Sequence, residues 1–126
     1  MFAAGNLVQG AEPADVAALA GRHSAAAVTV WLQERDWPAP VPVSCLAPLR
    51  WLSPNAVSTA TPAPRGRFLL RASAFLERPQ IEIRQEGRVL WSGQLRRLVP
   101  GRSAALPWEW SGSVDANSGP IELSAH

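Results

Sequence analysis

Gln80-Ile81-Glu82-Ile83-Arg84-Gln85-Glu86-Gly87-Arg88-Val89-Leu90-Trp91-Ser92-Gly93-Gln94 reads as two strands joined by a turn. Isoleucines alternate with polar residues before Glu86-Gly87, the period of a strand with one buried face. A two-residue loop at Glu86-Gly87 would set Ile83 opposite Leu90, but also Ile81 opposite Ser92 and Glu82 opposite Trp91. A three-residue loop, Gln85-Glu86-Gly87, pairs Ile83 with Val89 and Ile81 with Trp91 on one apolar face. It also gives Gly87 the left-handed position that such loops need. The three-residue loop is therefore expected, between strands at residues 80–85 and 88–95.

The same period extends outward. Phe68, Leu70, Ala72, Ala74 and Leu76 alternate with Leu69, Arg71, Ser73 and Phe75, as in a strand covered on both faces for part of its length. Val99-Pro100-Gly101-Arg102 is a turn, followed by a short strand through Leu106, and Gly119-Pro120 introduces a last strand over residues 121–124. Short strands between Gly/Pro turns predict a small antiparallel β-sandwich-like domain over residues 49–126, immunoglobulin-like in outline. Trp91, Trp108 and Trp110 are expected in its core, the last two flanking Glu109 on one side of an irregular strand.

Upstream the pattern changes. Residues 13–35 predict a helix: Pro13 suits the first turn, Asp15 favours the positive N-terminal end, and alanine dominates the interior. Val16, Leu19, Ala20, His23, Ala27, Val30 and Trp31 form an apolar stripe, and Gly21 with Ala17 and Ala25 permits close approach to another backbone. Such a helix needs a large surface to bury against, and nothing else in the chain obviously supplies one. Trp37-Pro38-Ala39-Pro40-Val41-Pro42 then breaks it, and residues 37–48 are expected as an extended, proline-rich linker. A second Pro-rich stretch at residues 59–64 separates the segment around Leu49-Arg50-Trp51-Leu52 from the strand beginning near Arg67.

Composition removes several function classes. Hydrophobic residues are 47% and charged residues 17%, too apolar for a disordered chain. No apolar run reaches the roughly 18 residues of a membrane span, and the N-terminus lacks a signal peptide's basic region, so a cytoplasmic protein is expected. All twelve basic residues are arginine, scattered except for Arg96-Arg97, and the formal charge is +2. A nucleic-acid reader clusters its cations on a face, so no nucleic-acid partner is expected. The one cysteine, Cys45, excludes an internal disulfide and any Cys-x-x-Cys motif, and with no His or Lys nearby in sequence it is expected to be packed or idle.

Phe2-Ala3-Ala4-Gly5-Asn6 resembles the last cofactor motif of the pyridine nucleotide-disulfide oxidoreductase superfamily, flavoproteins with two dinucleotide-binding domains. There a buried strand ends in an apolar-Phe-Ala-x-Gly-Asp pattern and a helix follows shortly after. The resemblance covers residues 1–35 and implies a strand-turn-helix end of an FAD-binding domain over residues 1–36. It implies that Gly5 lets the backbone approach the cofactor and that Asn6 takes the acidic position beside the ribityl chain, without its charge. It also implies that the helix beginning near Asp15 and Val16 faces the flavin pyrimidine edge, where a helix N-terminus favours negative charge. No Gly-x-Gly-x-x-Gly is present, so the FAD adenosine half and the NAD(P)H domain would lie upstream or on a partner subunit. The chain opens in the middle of the motif, as expected of a truncated gene, a misassigned start or one piece of a split enzyme.

Together these readings predict an α+β chain: the C-terminal portion of an FAD-dependent, NAD(P)H-linked oxidoreductase, completing the flavin pocket without being catalytic alone. Its partners would be the missing dinucleotide-binding domains or a partner subunit, with a homodimer also compatible. The rival is a non-catalytic β-sandwich binding module with a helical arm. His23 is expected to be packed, Ser24 has no Gly-x-Ser-x-Gly context, and no metal site is expected.

Overall fold

In the computed structural model the described residues are Ala4, 13–34, 40–58 and 64–126. Helix α1, Ala14–Glu34, starts where Pro13 and Asp15 direct it: the Ala17 N–H donates to the Pro13 carbonyl at 3.0 Å, and Asp15 lies in the first turn. It is the one α-helix among the described residues. None of these residues forms a helix long and apolar enough to cross a membrane.

Ten strands follow in chain order among the described residues: β1 Val41–Cys45, β2 Leu49–Ser53, β3 Ala56–Val57, β4 Arg67–Ala72, β5 Leu76–Glu77, β6 Gln80–Gln85, β7 Arg88–Gln94, β8 Arg97–Leu98, β9 Ala104–Pro107 and β10 Ile121–Ala125. They form a five-stranded sheet ordered β3-β1-β10-β6-β7, a three-stranded sheet β2-β4-β9 and a ribbon β5-β8. Every ladder is antiparallel except β1–β10, which is parallel with Val43 beside Ile121 and Cys45 beside Leu123. The fold is a small α+β one, compatible with a β-sandwich.

The register lines residues up in rows. Cys45, Leu123, Ile83 and Trp91 run across the large sheet on one side, as do Val43, Ile121 and Gln85, and Ala125, Ile81 and Gly93. The alternate residues Ser44, Glu122, Ser124, Glu82 and Ser92 take the other side. The smaller sheet places Phe68, Leu70, Leu52 and Leu106 in the same core. Among the described residues nine large side chains are fully buried, each contributing about 1.5–3 kcal/mol relative to exposure.

Several expectations are corrected. Residues 41–45, expected as linker, form β1 near the middle of the large sheet. Pro42 is tolerated because the ladder to β10 begins only at Val43. The hairpin loop has two residues, not three: Gln85 pairs with Arg88, and Glu86 (φ 48°) and Gly87 (φ 80°) both take the left-handed conformation of a primed turn. Leu90 is then an extra residue in β7, a bulge that moves Trp91 opposite Ile83 and Gly93 opposite Ile81. The isoleucines therefore share one buried side, as anticipated, but Val89 pairs with Arg84 and is exposed. Trp108 and Trp110 lie not on a strand but at the start of a 3-10 helix, Glu109–Ser113. Both still serve the core, Trp108 stacking on Phe68 at a centroid distance of 5.5 Å and Trp110 lying tilted against it at 4.6 Å.

Candidate functional site

Of the residues singled out from the sequence, Asp15 and Val16 lie at the N-terminal end of α1. Gly5 and Asn6 lie outside the described residues. Asp15 is exposed and Val16 half-buried in the first turn. Among the described residues the Ala17 N–H is the first to bond back along the helix, to Pro13, and the N–H groups of Ala14, Asp15 and Val16 lie in the first turn, ahead of that bond. Such an end suits an electron-rich or anionic group, although the Asp15 carboxylate at the same turn offsets part of its field.

The helix has two apolar faces. One holds the predicted stripe: Leu19 and Ala27 are buried, and Val16, Ala20, His23 and Val30 are half-buried. Burial holds the His23 imidazole below its ordinary pKa of 6.5. Trp31, assigned to this stripe from the sequence, is 40% exposed. The second face was anticipated only in part, at Gly21 and Ala25. Ala14, Ala18, Gly21, Ala25, Val28 and Leu32 succeed one another at alternating steps of four and three, the spacing of a helix-packing seam. All are exposed except half-buried Val28, and Leu32 is 54% exposed.

Elsewhere the chemistry is structural. Cys45 points to the core side of β1, and burial pushes its thiol up to about 11, so little nucleophilic thiolate forms near neutrality. An open polar cleft of about 550 Å³ lies between the hairpin turn and the 112–118 loop, lined by Gln85, Glu86, Arg88 and Asp115 among others. Most of its polar groups bond main chain, and Ser118 Oγ donates to Asp115 Oδ2 at 3.1 Å. Gln85 Nε2 donates to the carbonyls of Asp115 and Gly119 at 2.9 Å each, and Gln85 Oε1 accepts from the Asp115 N–H at 3.0 Å. Glu86 accepts from the Gly119 N–H, and Arg88 donates to the Ser113 carbonyl. The cleft is thus a braced loop, in which the Ser118–Asp115 pair closes an exposed turn. Gln85 was missed because its role depends on a loop some thirty residues away. Among the described residues no group of three His, Cys, Asp or Glu could hold a metal ion. No protein-family model, no curated protein and no solved structure matches the chain.

Proposed function

We propose that this chain is the C-terminal portion of an FAD-dependent, NAD(P)H-linked oxidoreductase, completing the flavin pocket but not catalytic alone. The observation that carries the proposal is the double-faced helix. One face of α1 is covered, while the seam of Ala14, Ala18, Gly21, Ala25, Val28 and Leu32 is left open. A helix apolar on two sides belongs between two bodies. A dinucleotide-binding domain is the second body that the Phe2-Ala3-Ala4-Gly5-Asn6 motif implies. The first-turn N–H groups around Asp15 and Val16 fit the pyrimidine edge of a flavin, with Gly5 and Asn6 as the remaining contacts. When bound, FAD supplies hydride acceptance from NAD(P)H or substrate; residues of this chain only position it.

The rival reading, a non-catalytic binding module with a helical arm, draws support from the strand core, which holds no residue of α1. The intact mass and absorption spectrum of the natural gene product separate the two. A product several times heavier than 13.5 kDa, or a complex carrying flavin absorbance, is expected. A flavin-free product of 13.5 kDa with no partner subunit would leave the binding module.

A further inference from the structure

We infer that the end of the β-rich unit bearing Arg78, Arg96 and Arg97 is a docking surface for an acidic segment of another protein. Arg78 is separated in sequence from the other two, and the fold joins them. The Arg78 N–H donates to the Arg96 carbonyl at 3.0 Å, and the β5–β8 ribbon sets Glu77 opposite Arg97 and Leu76 opposite Leu98. Leu98 is buried and Leu76 packs on the core, so alternation places Glu77 and Arg97 on the solvent side. Phe75, two residues before Glu77 in the chain, is 59% exposed.

These three arginines adjoin one another and are uncommitted, whereas the other exposed arginines without a partner, such as Arg22 and Arg50, lie apart in the chain. Arg84 pairs with Glu82, Arg71 donates to the Gly101 carbonyl and Arg88 to the Ser113 carbonyl. Arg78, Arg96 and Arg97 are all exposed, and none of their guanidinium groups has a hydrogen-bond or ion-pair partner among the described residues. Three arginines against Glu77 leave an excess of two positive charges, equal to the formal +2 of the whole chain. A guanidinium fork matches a carboxylate in bidentate geometry. Arginine together with an exposed aromatic is the composition of protein interfaces. A nucleic-acid groove usually makes roughly 6–10 phosphate contacts, and a carboxylate amid three cations opposes that use. The occupant is therefore a segment with at least two carboxylates and an apolar side chain for Phe75. This inference stands independently of the flavoprotein reading.

The test uses the full chain and a short fluorescein-labelled peptide of glutamates around a central leucine, followed by fluorescence anisotropy at low and physiological salt. Wild type is expected to bind with salt-weakened affinity. R78S/R96S/R97S should lose about tenfold, the sum of three exposed ion pairs. F75S should lose affinity without changing the salt dependence, and R22S/R50S, at exposed arginines elsewhere, should bind as wild type. Thermal melts verify the fold; should the triple variant not fold, R78S and R97S singly should each weaken binding about twofold to threefold. Failure of wild type to bind, or equal binding by wild type and the arginine variants, would overturn the assignment. So would tighter binding of a labelled oligothymidylate of equal charge, abolished by the same substitutions, which would give the surface to nucleic acid.

Discussion

Gln85 uses both ends of its amide on the 115–119 loop while lying 3% exposed on the core side of β6. Replacing it with leucine would keep the volume but orphan two carbonyls and one N–H. A buried orphan costs about 1–3 kcal/mol, part of it relieved here by water entering the open cleft. Gln85→Leu should therefore destabilise by about 2–4 kcal/mol in urea unfolding. Gly93 argues from the opposite property, the absence of a side chain. The Trp91 ring lies over it, and a Cβ there would collide with Cζ2 and Cη2 of the indole. Gly93→Ala should cost about 1–3 kcal/mol by forcing the ring outward. In a W91L background the same substitution should cost much less, so a double-mutant cycle reads the contact directly. For Cys45 the sign follows from burial. Its folded pKa, about 11, lies above the ordinary thiol value of 9.0, so the folded state keeps its proton longer than the unfolded one. Stability should then fall as pH rises from 9 towards 11, and C45A should remove that slope. Ellman's reagent should label Cys45 slowly in buffer near neutrality and quickly in urea.

The elements show where sequence reasoning succeeds. Helix α1 was legible because Pro13, Asp15 and the alanines act locally, and β6, β9 and β10 because turns flank them. The hairpin register was not. The choice between loop lengths assumed regular pairing, whereas Leu90 bulges and restores an apolar face behind a two-residue turn. Residues 41–45 looked like linker because proline counts against strands. What counts is which N–H the ladder needs, and β10 supplies that information from the far end of the chain. At the N-terminal site the helix start was readable, while the second seam was read only at Gly21 and Ala25, because alanine elsewhere looks like helix propensity before it looks like a packing surface. His23 carries the prediction for this element. Burial lowers its pKa, so the unfolded state binds a proton more readily, and the stabilisation of α1 is complete above about pH 6.5 and lost as pH falls below it. Helicity followed by circular dichroism should decline on acidification through that window in wild type, and much less in H23Q.

At the scale of the whole molecule the question is whether α1 belongs to the same cooperative unit as the strands. The main core runs from Val41 to Leu123 and includes neither Leu19 nor Ala27, the two buried residues of the helix. Among the described residues, α1 makes contact near the turn Pro64–Gly66, and Leu19 and Ala27 are buried. A chain of residues 40–126 should thus fold cooperatively. It should melt within about 5–10 °C of the full chain, since a loss of 1 kcal/mol shifts the midpoint of a domain this size by about 4–8 °C. The full chain carries the open seam and should bind a hydrophobic dye and self-associate with concentration, whereas residues 40–126 should do neither. Replacing Ala18 and Ala25 with glutamate in the full chain should suppress both effects while leaving the melt unchanged, because both side chains are exposed. An unfolded 40–126 chain would place α1 within the strand core and remove the argument for a second body. A stable 40–126 chain, with dye binding confined to the full length, would leave the seam as the surface that a second body must cover.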